Sequence, residues 1–152
     1  MKLSNRLIVK NALGRRVTTK RRYLPDTRGD LTSYPPKDAP SRPELAVRGS
    51  EAAGYCSLWS NGERTYLSAF INPQAGSTVT TEQFVRNRFK HDVRPGRILP
   101  WLVGQASLRD NPCLLVHMSV PLDRIPRERA DATLDEAWPA WSEWWRSRFP
   151  KP

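Results

Sequence analysis

Asn61-Gly62 stands between two alternating runs, residues 55–60 and 63–71. A type I′ turn needs positive φ at two successive residues, and Asn-Gly supplies both at little cost. The dipeptide predicts a β-hairpin with a two-residue loop, pairing Trp59 with Arg64, Ser57 with Tyr66 and Tyr55 with Ser68. Side chains alternate across a strand. One face of the hairpin therefore carries Tyr55, Trp59, Arg64, Tyr66 and Phe70, and the other Cys56, Leu58, Thr65, Leu67, Ala69 and Ile71. The second is the better core face. The aromatic–Arg face calls for a covering helix or a ligand.

The rest of the C-terminal two-thirds supplies further elements. Thr80 and Gln83 have capping-box spacing, and Val85, Phe89 and Val93 form an apolar stripe beside Arg86, Lys90 and Arg94. A helix over about 81–92 follows, ended by Pro95-Gly96. The apolar runs 97–107 and 113–120 read as two strands joined by a turn at 109–112, with Pro100 weakening the first. Residues 134–149 hold five aromatic side chains in 16 positions. On a helix Leu134, Trp138, Trp141, Trp145 and Phe149 fall within an arc of about 80°. Thr133 and Glu136 offer a second capping box there, and Pro139 lies on the polar side or at the helix start.

Charge is distributed unevenly along the chain. The first 22 residues hold eight Lys or Arg (Lys2, Arg6, Lys10, Arg15, Arg16, Lys20, Arg21, Arg22) and no acid, against a net charge of +10 for all 152 residues. Residues 1–48 carry +8 and residues 49–152 only +2. Of 14 prolines, five fall between positions 25 and 43, where they fix φ and remove donors. The expected organisation is a basic arm or ribbon at 1–23, a Pro-rich linker at 24–50 and a globular domain at 51–152. The predicted fold class is α+β: a small, mainly antiparallel sheet with one basic helix and a C-terminal Trp-rich amphipathic helix, preceded by a basic Pro-rich N-terminal arm. Arg28-Gly29-Asp30 reads as a chance match to an adhesion motif.

Two cysteines, Cys56 and Cys113, form neither a disulfide framework nor a zinc pattern, and the two histidines are far apart. No metal and no cofactor is expected. The apolar stretch 7–9 is too short for a secretory signal, and no run approaches membrane-span length. An intracellular or particle-associated chain is the default, not a secreted one. The acid-free start also matches the composition of a mitochondrial presequence.

A one-signed charge run calls for a polyanion or an acidic partner. Five basic residues in 86–97 extend it: Arg86, Arg88, Lys90, Arg94 and Arg97. The expected function is non-catalytic, low-specificity nucleic-acid binding within a larger assembly such as a ribonucleoprotein, a viral or phage particle or a mobile-element complex. Its phosphate contacts would come from the eight arm cations with Arg86, Lys90, Arg94 and Arg97. The alternative is a protein–protein adaptor or inhibitor that grips an acidic partner, with Trp138, Trp141, Trp145 and Phe149 as docking residues or an oligomer seam. No membrane partner is expected. A second alternative is a small metal-independent ribonuclease toxin using His91, His117, Tyr66, Lys90 and Arg64.

Overall fold

The computed structural model describes residues 4–10, 16–37, 39, 45–50, 54–74, 76–106 and 112–149. Six strands form one antiparallel sheet: β1 (Ser4–Lys10), β2 (Arg16–Leu24), β3 (Ala46–Ser50), β4 (Gly54–Ser60), β5 (Arg64–Ile71) and β6 (Cys113–Pro121). Their spatial order is β1-β2-β6-β5-β4-β3. The helices are α1 (Thr81–Asp92), α2 (Pro95–Leu102) and α3 (Arg127–Arg146). The chain is an α+β fold.

The sheet continues across the boundaries expected at 23/24 and 50/51. β2 is not an outlying arm. It lies between β1 and β6, paired with β6 from Thr18↔Ser119 to Leu24↔Cys113. Its β-branched residues Val17, Thr18 and Thr19 are buried, as pleated half-buried surfaces favour. The Pro-rich stretch also contains regular structure. Asp30 caps a 3-10 turn at Leu31–Ser33 by accepting from the Thr32 amide, and β3 pairs with β4. Leu24 and Leu31 enter a core cluster with Phe70, Val79, Phe84, Cys113 and Leu115. Gly29, the centre of the adhesion-like tripeptide, is buried within this segment.

The hairpin forms, but its turn is centred one residue later than expected. Asn61 Oδ1 accepts from the amides of Glu63 (3.0 Å) and Arg64 (2.8 Å), and Gly62 takes φ +90°. The Asn side chain thus imitates a backbone turn. The register becomes Ser60↔Thr65, Trp59↔Tyr66 and Ser57↔Ser68. Trp59 meets Tyr66 instead of Arg64, with ring centroids 4.2 Å apart and planes 4° from parallel. Moving a turn by one residue shifts the register by two, so the expected faces survive.

The two sheet faces bear different cover. On one, Cys56, Leu58, Leu67, Ala69 and Ile71 join Val116, Met118 and Val120 against Ala130, Leu134 and Trp138 of α3. Trp141, Trp145 and Phe149 pack around the same core, and Pro139 is exposed on the outer side. α3 begins earlier than expected, after Pro126, so Thr133 is not a cap. Thr133 is buried mid-helix and donates to Arg129 O at 2.7 Å. The opposite face is covered at one end by Leu24, Leu31 and α1 through Phe84. Cys56 and Cys113 are buried on opposite faces. Burial is the main reason their thiols titrate at about 11 and about 12.

Helices α1 and α2 depart further from expectation. α1 has the full capping box of Thr80 and Gln83. It nonetheless turns Phe84 and Arg88 inward and leaves Val85 and Phe89 exposed. The run expected as a strand from 97 is helical over Pro95–Leu102, with Pro95 in its first turn, a position Pro favours. Helix and buried strand are not separable by periodicity in so short an apolar run. α2 has no buried residue and exposes Ile98, Leu99, Trp101 and Leu102, followed by exposed Val103.

Candidate nucleic-acid interface

Pleat and register assemble the candidate interface on the sheet face opposite α3. Even-numbered residues of β2 and β5 share that face with odd-numbered residues of β6. One cross-sheet row reads Lys20, His117, Ser68, and the next Thr18, Ser119, Tyr66. Pro35, Pro36 and Lys37 wall this surface, leaving two adjoining clefts of about 360 and about 200 Å³. The larger is lined by Lys20, Arg21, Arg22, Tyr34, Lys37 and His117 among others, and the smaller by Thr18, Lys20, Pro36, Arg64, Tyr66, His117 and Ser119. No Asp or Glu lines either cleft among the described residues.

The polar groups at the floor of these clefts are organised by neutral partners. Half-buried Arg64 donates from Nε (3.2 Å) and Nη2 (3.0 Å) to Ser119 Oγ, and from Nη2 to Thr18 Oγ1 at 3.4 Å. Trp59 Nε1 donates to Ser68 Oγ at 3.4 Å, and Ser68 Oγ lies 2.7 Å from His117 Nδ1. Ser68 Oγ keeps a second lone pair beside the Trp59 donor, so the direction of its bond with Nδ1 follows the tautomer of His117.

Burial, reinforced by Lys20 and opposed by a backbone hydrogen bond with Tyr34, pushes the His117 pKa down to about 4. This makes stability pH-dependent. Above the ordinary value of about 6.5 both folded and unfolded chains hold a neutral ring. Between 6.5 and 4 only the unfolded chain takes up the proton, so stability falls as pH falls through that window. The expected loss is about 2 kcal/mol. Urea titrations at neutral pH and near pH 4.5 check it, because His117→Gln should lose this component. An identical pH dependence in the variant would exclude His117 as its source.

The other expected contacts are dispersed. Lys2 and Arg15 lie outside the described residues. Arg6 is opposite Lys20, and Lys10 opposite Arg16, in the β1–β2 register. Arg16 is exposed. Strand alternation divides Lys20-Arg21-Arg22: Arg21 leaves the Lys20 face, and its guanidinium lies 4.2 Å from the Trp145 ring centroid. On α1, Arg86 and Lys90 are exposed, Arg86 pairing with Glu82 at 2.8 Å. Arg94 is exposed and bonded to Gln74 and His91 O, and Arg97 is half-buried. Since α1 packs through Phe84 on the sheet face bearing Lys20 and Arg22, α1 and these two cations lie on one side of the sheet.

The expected groupings are distributed across the fold. His91 and Lys90 line a small cleft with Tyr55 and Arg86, whereas His117, Tyr66 and Arg64 line the cleft over β5 and β6. The proposed ribonuclease group is therefore not assembled. Of the aromatic–Arg face of the hairpin, Trp59, Tyr66 and Phe70 are buried. The docking set Trp138, Trp141, Trp145 and Phe149 packs on the protein's own core, leaving Trp144 as an exposed Trp of α3 beneath Arg148. Tyr34 and Lys37 were not anticipated, because their placement depends on the distant pairing of β2 with β6.

No protein family, curated protein or solved structure matches this chain. Among the described residues no group of three His, Cys, Asp or Glu could hold a metal ion, and no helix is long and apolar enough to cross a membrane.

Proposed function

We propose that the protein binds nucleic acid through its phosphate backbone, without catalysis and with little sequence specificity, as a component of a larger assembly. The observation carrying this reading is the pair of clefts lined by Lys20, Arg22, Lys37 and Arg64 and, among the described residues, by no carboxylate. The opposite sheet face is of mixed charge: α3 carries Glu128, Asp131, Asp135, Glu136 and Glu143 together with Arg127, Arg129 and Arg146, and Asp135 pairs with Arg48 at 2.5 Å.

Affinity for mixed-sequence DNA and RNA, measured against salt, tests the reading. Four phosphate contacts give a slope of log K on log salt of roughly −3 to −4. Lys20→Gln with Arg22→Gln should reduce its magnitude by about 2 and weaken all sequences alike. Deleting residues 1–22 is a poor test, because it removes most of a strand that lies inside the sheet. A double variant that binds with the wild-type slope would refute the assignment.

The second reading, an adaptor for an acidic protein, is favoured by one observation. α2 exposes Ile98, Leu99, Trp101 and Leu102 beside Arg94, and no acid is described over 93–106. Protein partners that survive nuclease treatment and are lost with Leu99→Asp would favour it.

A further inference from the structure

We infer that the smaller cleft is a phosphate pocket and that the larger one takes the nucleoside attached to that phosphate. This rests on the nucleic-acid reading of the same face and names its ligand: the phosphoryl group of a nucleotide.

Three observations converge on the pocket. The Arg64 guanidinium is partly withdrawn from water, and its described partners are the hydroxyls of Ser119 and Thr18. Hydroxyls meet its hydrogen-bonding geometry but not its charge, and a partly desolvated cation gains most from an anion. Secondly, Lys20 lines the same cleft, so two cations face a ligand that carries up to two negative charges. Thirdly, the Thr18 and Ser119 hydroxyls have hydrogens of their own to turn toward phosphate oxygens.

The adjoining space fixes the rest of the ligand. Lys20, Pro36 and His117 border both clefts, so a group anchored on Arg64 leads directly into the larger one. That cleft, about 360 Å³ and walled by Tyr34, Pro35 and Leu115, falls in the size range of small-molecule sites. Neutral His117 adds no charge at pH 7 and takes part as a wall. A free nucleotide, a chain end and an internal backbone phosphate share the chemistry, and the test separates them.

Calorimetry on the full chain should find a nucleoside 5′-monophosphate bound at least tenfold more tightly than its nucleoside, with inorganic phosphate competing. Arg64→Gln should lower that affinity by roughly 10- to 100-fold, the range of a lost charge-assisted fork. Lys20→Gln, an exposed position, should lower it severalfold and serves even if the Arg64 variant does not fold. Arg124→Gln, at a side chain 90% exposed, should change nothing.

Tighter binding of a 5′-phosphorylated oligonucleotide than of its 5′-hydroxyl counterpart, with Arg64 required, assigns the pocket to a chain end. Equal, Arg64-dependent binding assigns it to an internal phosphate. Equal affinity for nucleoside and monophosphate overturns the pocket, as does wild-type binding by both the Arg64 and Lys20 variants. Oligonucleotide and monophosphate binding both indifferent to Arg64 removes the pocket and leaves the broader reading standing. Arg64-dependent monophosphate binding without oligonucleotide binding does the reverse.

Discussion

Gly29→Ala is expected to cost about 3–4 kcal/mol of folding stability, although the change adds only one methyl group. Gly29 is buried at φ +72°, and its amide donates to Thr27 Oγ1 at 3.1 Å. A non-glycine residue pays about 1–2 kcal/mol to hold that conformation. The larger cost is steric. The added methyl would fall inside the van der Waals envelope of Phe84 Cβ, Cγ and Cδ2. Phe84 is 3% exposed and attaches α1 to the core, so the ring cannot yield without moving the helix. Overpacking of this kind adds roughly 1–3 kcal/mol. Gly62→Ala is the matched control: its φ is +90°, but nothing lies within 4 Å of an added methyl. Urea unfolding of both variants separates the contributions. Equal losses would show that the contact with Phe84 costs nothing.

The contrast between these glycines parallels what was legible before the structure. Gly62 announces itself locally, since Asn-Gly between alternating runs needs no knowledge of the rest of the chain. The hairpin and its core face could therefore be read directly, as could the capping box of α1 and the aromatic stripe of α3. The role of Gly29 depends on Phe84, 55 positions away, and no local pattern encodes that contact. The same limit applies to the N-terminus: a basic ribbon could be expected there and is found as β1 and β2, but its place in the sheet could not. Eight cations and a Pro-rich stretch describe the composition of an arm, but β2 is held by pairing with β6, almost a hundred residues downstream.

The candidate interface was legible in its residue types more than in its geometry. Lys20, Arg22 and Arg64 could be named from sequence, whereas their meeting on one face follows from a β2-β6-β5 order that only tertiary structure supplies. The run Lys20-Arg21-Arg22 shows how charge counting overreaches. Strand alternation carries the Arg21 guanidinium to Trp145, although the residue still borders the larger cleft with Lys20 and Arg22. A cation count becomes a surface only after the pleat has divided it.

Arg88 takes this distinction to its largest energetic consequence. By sequence it belongs to the basic flank of α1. In the fold it is 1% exposed, donating from Nη2 to Pro112 O at 2.7 Å and to Asn72 Oδ1 at 3.3 Å. Its guanidinium lies 4.6 Å from the Phe84 ring centroid. Asn72 in turn donates to Gly76 O and Thr78 Oγ1. Arg88 thus ties α1 to the residue after β5 and to the approach to β6. Arg88→Met keeps much of the side-chain volume but strips a charged donor from two acceptors, which should cost about 3 kcal/mol. Arg86→Met, at an exposed side chain paired with Glu82, should change stability by less than about 0.5 kcal/mol. Nucleic-acid affinity should rank the two in the opposite order when measured where both are folded: the Arg86 change weakens binding and the Arg88 change does not. Denaturant unfolding and a salt-controlled binding titration read the two rankings independently. An Arg88→Met protein as stable as Arg86→Met, yet impaired in binding, would return Arg88 to the interface.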